Sequence, residues 1–367
     1  MKTKPFALLA TVTALMVAAA VWSTLERGRA TASSAPPGSL FPNLVEQVND
    51  ITRINVHTPK LAFTIRRMED GNWQVPERDG YPVTFATVKQ AVVGIAKMRL
   101  LEAKTAKPAL HDRLFLKSPK NGGRGSTIAL ATGSGKGTDK TIAAIVVGKT
   151  KTAPTENEDG IYYVRRLDDD QSYLAAGRVE AWESIDQWLD SAMPIIARQR
   201  VRAATTIQPD GARVGVVRTD PDSRDFKIAN IPAGMKSMGD TIGNALGSAL
   251  GFLSFEDVRR ADRIDFAGAH KAMFDTFDGV TLNLLVRKHK EGHWLNLTAT
   301  FDAANIKLDG LTDKQKKSMK SPDEAKAEVA HINKRYGPWA YIVPKYKAKD
   351  FMTDASSLMI EDKDSSK

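Results

Sequence analysis

Apolar and polar positions alternate in short bursts along most of this chain, and one unbroken apolar run stands at its start. Phe6 to Trp22 is apolar apart from Thr11 and Thr13, and Lys2 and Lys4 precede it. A helix of that length, rising about 1.5 Å per residue, reaches about 25 Å, near the lower limit for spanning a bilayer. No polar face crosses the run, so a membrane segment fits better than a buried soluble helix. Its basic flank stays in the cytoplasm, which places the rest of the chain outside. The nearest small-residue cleavage site, Ala30-Thr31-Ala32, comes only after Glu26, Arg27 and Arg29. Charges in that place fit a retained anchor better than a cleaved signal peptide, and both stay open. The small, polar, twice-proline stretch that follows reads as a tether.

Beyond the tether, one pattern occurs twice, the second time about 154 positions later. Ile51, Ile54 and Val56, then Leu61, Phe63 and Ile65, then Trp73 and Val75 predict three short strands joined by tight turns. Ile207, the turn Asp210-Gly211, Val214 and Val216, and Phe226 with Ile228 predict the same series, with Phe226 in the place of Trp73. Val88, Ala91, Val92, Ile95 and Met98 form one helical face, and Ile242, Ala245, Leu246, Ala249 and Phe252 repeat its spacing. The same offset carries the hairpin Ile128–Thr132 with Thr141–Val147 onto Leu282–Val286 with Trp294–Phe301.

Single elements extend each copy. Gly160–Arg166 predicts a strand, and Trp182 to Leu189 a helical stretch closed by Pro194. Ser321-Pro322-Asp323-Glu324 is a capping box that should launch a helix ending near Gly337. Trp339–Val343 predicts a last strand and Glu361–Lys367 a loose tail. The expected organisation is an anchor at 1–23, a linker at 24–39, β-rich units at 40–194 and 195–350, and a tail at 351–367. The fold class is α+β: two similar antiparallel units, each with a packed helix, behind an N-terminal transmembrane helix. A seam between the units, near Trp188 to Pro194, would be a natural place for a groove.

Composition then narrows the chemistry. With no cysteine in 367 residues, disulfides, thiolate metal sites and thiol nucleophiles are excluded. The net charge of +10 is dispersed among 43 acidic residues, and no reader motif accompanies it, which argues against nucleic acid as a partner.

Each constellation that invites a chemical reading has a plainer one. Gly133–Lys140 resembles a phosphate-cradling loop, but its glycine spacing fails, Gly137 stands where Ser or Thr is needed, and strands flank it on both sides. It reads as a hairpin turn. His289, Glu291 and His293 would share one strand face and could approach a metal, yet Gly292 places them at a turn. Glu156, Glu158 and Asp159, and the run Asp168-Asp169-Asp170, lack the spacing of a calcium loop. His57, His111, His270 and His331 are isolated, and no nucleophile elbow or zinc-protease motif is present. No catalytic, cofactor-binding or metal-ligating residue is assigned, and no cofactor is expected. Gly243, Gly247 and Gly251 recur every fourth residue, which predicts either tight packing on their own sheet or a partner helix.

Leu40-Phe41-Pro42 before Val48-Asn49-Asp50-Ile51, Gly71-Asn72-Trp73-Gln74-Val75 and Gly80-Tyr81-Pro82 resemble the opening of the domain of unknown function 4340 family. Val147-Gly148-Lys149, Tyr163-Val164-Arg165-Arg166, Phe255-Glu256-Asp257-Val258 and Trp339-Ala340-Tyr341 resemble its later positions, so the likeness covers about residues 40–350. The resemblance implies one N-terminal membrane segment, an exported duplicated region and a protein partner in an ABC-type export or gliding-motility-like system. It implies nothing catalytic. The expected function is a non-enzymatic accessory subunit, single-pass in the inner membrane and periplasmic in bulk, touching membrane lipid through its N-terminal helix. The alternative is a periplasmic binding module for an anionic polymer or lipid, suggested by the basic charge.

Overall fold

The computed structural model describes residues 38–133, 139–179 and 184–362. The proposed anchor Phe6–Trp22, the linker as far as Pro37, residues 134–138 of the glycine-rich loop, Trp182 and residues 363–367 lie outside the described residues. Among the described residues no helix is long and apolar enough to cross a membrane. The protein is β-rich, with antiparallel sheets and few helices. Contacts divide it into two compact units: Pro82–Ser184 with the residues up to Pro76, and Ile185–Lys367 with Glu77–Tyr81.

In the first unit, β1 (Arg53–His57), β2 (Ala62–Arg67), β3 (Trp73–Val75) and β4 (Tyr81–Val83) precede the helix α1 (Phe85–Ala96). After it come β5 (Arg99–Ala103), β6 (Ser126–Thr132), β7 (Lys140–Thr152), β8 (Gly160–Arg166) and β9 (Ser172–Gly177). The sheet order is β4-β3-β2-β1-β6-β7-β8-β9-β5. Alternation drives the strands: Ile54 and Val56 of β1, and Phe63 and Ile65 of β2, are buried while their neighbours are not.

The second unit holds β10 (Val201–Ile207), β11 (Arg213–Val217), β12 (Lys227–Ile228), β13 (Met235–Ser237), β14 (Asp257–Arg260), β15 (His270–Thr276), β16 (Asp278–His289) and β17 (Gly292–Ile306). The helix α2 (Pro322–Arg335), β18 (Trp339–Val343), the helix α3 (Lys345–Phe351) and β19 (Met359–Glu361) follow. Its main sheet runs β12-β11-β10-β15-β16-β17-β18-β14, and β13 pairs with β19 in a small separate sheet. Ser321 and Glu324 close the capping box at the start of α2.

The two main sheets share one connectivity. Strand for strand, β3-β2-β1-β6-β7-β8-β9-β5 corresponds to β12-β11-β10-β15-β16-β17-β18-β14. Ile54 stands between Ile65 and Leu130, and Ala204 between Val216 and Phe274. Counting outward from those anchors, Trp73 lies opposite Arg67, and Phe226, one residue before Lys227, comes to the equivalent place.

Other sequence expectations differ from what is seen. The constant offset equates the β6–β7 hairpin with β16–β17, whereas connectivity equates it with β15–β16. Both hairpins are apolar, alternating and turn-bounded, so a pattern slides by one strand without penalty until pairing partners are known. The helix expected from Ile242 to Phe252 is broken into a short turn of α-helix, Asn244–Gly247, and a 3-10 turn, Ala249–Phe252, with Phe252 87% exposed. Glycine at three positions explains the break. Ile185–Leu189 forms a turn and not a helix, although Ile185, Trp188 and Leu189 are buried. The segment from 351 onward is no tail as far as Glu361: Phe351, Leu358 and Met359 are buried, and Lys236 pairs with Ile360.

Candidate functional site

An open cleft in the first unit lies along α1. Thr84 caps the helix by accepting from the Thr87 N–H, and Val88, Ala91, Val92 and Ile95 are buried beneath it. Gly94 is what brings the helix so close to its neighbour: a Cβ there would collide with the Arg178 carbonyl oxygen. A cleft of about 760 Å³ lies beside the helix, lined by Ser39, Val45, Ala86, Val93, Ala96 and Gly177 among others. Its size falls within the usual range for ligand sites, and most of its wall is apolar.

Lys89, Lys97, Arg99, Arg178 and Asp159 also line the cleft, so four cations share one acid. Asp159 lies 3.5 Å from Arg99 and 3.8 Å from Arg178. Arg178 is held further by donating to the Thr155 carbonyl at 2.9 Å and to that of Glu156. Neither Lys89 nor Lys97 pairs with an acid among the described residues. On the other flank of α1 a second cleft, about 550 Å³, is lined by Val48, Ile51, Trp73, Phe85 and Val92. Lys89 and Val93 border both clefts, and Phe85 is 69% exposed.

Elsewhere several of the polar residues noted in the sequence are tied into the framework. Gly133, where the glycine-rich loop begins, accepts from the Thr52 hydroxyl at 2.6 Å, and Asp139 near its other end pairs with Arg53. The loop joins β6 to β7, a strand-to-strand connection unlike that of a phosphate-cradling loop. His289 and His293 sit at the turn between β16 and β17. His289 Nε2 contacts the Asp265 carbonyl at 3.1 Å, and burial, with Lys288 and Lys345 nearby, pushes the His293 imidazole down. His111 Nε2 lies 2.9 Å from the Asp170 carbonyl. The Asp168–Asp170 turn is closed by Arg165, which donates to the carbonyls of Leu116, Arg166, Leu167 and Asp169. Among the described residues no group of three or more histidines and carboxylates could hold a metal ion.

The second unit contains a buried ion cluster that sequence reasoning missed. Arg200 donates to both oxygens of Asp278, at 2.7 and 3.1 Å, and to both of Glu328, at 3.0 and 2.7 Å. Asp278 also accepts from Thr276 and the Lys320 N–H, and Glu328 from Lys320 Nζ. Burial pushes both carboxyls up, but the hydrogen bonds from Arg200 and its charge, together with those from the Lys320 N–H and Thr276 on Asp278 and from Lys320 Nζ on Glu328, outweigh it and hold them below the usual range. These five residues satisfy one another. That arrangement ties α2 to the start of β16, with Arg200 and Asp278 almost wholly buried and Lys320 closing the cluster at its solvent side.

Phe226 is packed between backbone and cations. A Cβ on Gly247 would enter its ring, one on Gly243 would stand 2.6 Å from its carbonyl oxygen, and Gly251 faces open space. The Arg218 and Arg198 guanidiniums lie 4.6 and 5.6 Å from the ring centroid. Two of the three glycines thus serve packing within their own unit. The α1 cleft left one sign in the sequence: Lys89, Val93 and Lys97 stand four apart, on the face opposite Val88, Ala91 and Ile95.

The model of the family described as Domain of unknown function (DUF4340) matches residues 73–268. No curated protein and no solved structure matches the chain.

Proposed function

The chain belongs to the DUF4340 family, and from that premise we propose that it is a non-enzymatic accessory protein of the cell envelope, anchored through Phe6–Trp22 in the cytoplasmic membrane. Its two β-rich units stand on the extracytoplasmic side and serve an ABC-type transport or gliding-motility-like system. The apolar run with its basic flank is the observation that carries the placement. Support for a non-enzymatic role comes from the way titratable side chains are spent on structure, Arg200 with Asp278 and Glu328 above all.

The anchor is read from washed membranes: the chain stays in the pellet through high salt and carbonate, whereas a mature N-terminus near Ser33 would mean cleavage. Partnership is read by recovering the full chain from solubilised membranes. A transporter component should come with it, and deletion should impair transport. Absence of any such component, together with wild-type transport in the deletion strain, overturns the proposal. A second reading, a binding module for an anionic polymer or lipid, is favoured by the cations along the α1 cleft.

A further inference from the structure

We infer that the cleft beside α1 takes one acyl chain of an anionic phospholipid, with the lipid phosphate among Lys97, Arg99 and Arg178. The inference rests on the anchored reading above, which supplies the membrane. From Ala86 to Lys97 the wall of the cleft follows α1 for about 16 Å at about 1.5 Å per residue, an elongated trough and not a round pocket. Val45, Ala86, Val93 and Ala96 give it an apolar lining, and Val45 is 51% exposed in a position where an acyl chain would cover it.

Charge separates a phospholipid from a neutral apolar ligand. Three of the four cations, Lys97, Arg99 and Arg178, lie at or beyond the C-terminal end of α1, so the trough has an apolar length and a cationic end. Asp159 already engages Arg99 and Arg178 loosely, at 3.5 and 3.8 Å, which leaves guanidinium donors to share with a phosphate. Lys97 has no acid of its own among the described residues.

Position supplies the membrane as the source. Ser39 lines the cleft, and the apolar run ends at Trp22. The stretch between them can span no more than about 60 Å even fully extended. On the anchored reading the cleft is therefore held within that distance of the bilayer.

The test uses the full chain in liposomes that carry phosphatidylglycerol with a photoactivatable acyl chain, set against phosphatidylcholine with the same chain. Labelled peptides are identified by mass spectrometry. Phosphatidylglycerol should label the Ala86–Lys97 peptide at least tenfold above phosphatidylcholine, while both lipids label the anchor peptide. Val93→Trp fills the trough and should remove labelling of the helix but not of the anchor. Lys97→Glu with Arg99→Glu should erase the preference for phosphatidylglycerol. Should Val93→Trp melt early, Val45→Trp obstructs the same trough from its exposed rim and is read in the same way. Label confined to the anchor peptide, or equal labelling by the two lipids, overturns the inference. Failure of the anchor itself would appear in the carbonate-washed pellet, so the two failures are distinguishable.

Discussion

Arg200 is 4% exposed and is gripped by two carboxylates, of which Asp278 is 1% exposed. Ion pairs this deep stabilise little relative to apolar packing, but removing one member leaves charges buried without a counterion. Arg200→Ala should cost about 3–5 kcal/mol in denaturant unfolding of the second unit. The pH dependence follows from the carboxyl groups. Both are held below their unfolded values, so their contribution is complete above about pH 4–5 and is lost as the pH falls through the lower folded values. Without Arg200 the burial that pushes both carboxyls up goes unopposed by its hydrogen bonds. The variant should therefore lag the wild type most near neutrality, and the gap should narrow in acid. A gap that is constant from pH 7 to pH 3 would show that the cluster is not what Arg200 secures.

At the scale of elements, the glycines around Phe226 separate packing from propensity. Gly247→Ala places a methyl in a fully buried ring over which two guanidiniums lie, and overpacking of that kind costs about 1–3 kcal/mol. Gly251→Ala meets nothing, and its loss of unfolded-state freedom should make it neutral or stabilising by up to about 1 kcal/mol. Equal thermal melting of the two variants would contradict this division.

Periodicity made α1, α2 and most strands legible in the sequence. Val88, Ala91, Val92 and Ile95 could face nothing but a core, and Ser321 with Glu324 could do little but cap a helix. Pairing was not legible. A hairpin that slides by one strand keeps its alternation, and only the partners of Leu130 and Phe274 reveal which strands correspond. The cleft was hidden for a related reason: Ser39, Asp159 and Arg178 are far from α1 in sequence, and close approach at Gly94 has no periodic signature.

For the whole molecule, shared connectivity hides one asymmetry in how the chain is divided. Glu77–Tyr81 lies between β3 and α1 in sequence and ends on the first residue of β4, yet contacts assign it to the second unit. Tyr81, 4% exposed, meets the rings of Trp339 at 4.9 Å and Phe255 at 5.8 Å, and its hydroxyl donates to the Asp190 carbonyl at 3.0 Å. Arg78 pairs with Asp257, and Asp79 accepts from the Arg260 N–H at 3.0 Å and pairs with Arg263 at 2.6 Å. A fragment beginning at Ile185 would thus carry a second sheet without the residues that fill its aromatic cluster. Tyr81→Ala in the full chain empties the same space, and for a buried aromatic the cost is about 3–5 kcal/mol. Tyr81→Phe, which keeps the ring and loses one hydrogen bond, should cost about 0.5–1.5 kcal/mol. Hydrogen exchange reads where the loss falls. Protection should drop in β14 and β18, which hold the partners of Tyr81, and hold steady in β6 and β7 of the first unit. Uniform loss across both sheets would mean that Glu77–Tyr81 stabilises the chain as one cooperative body instead of completing the second unit.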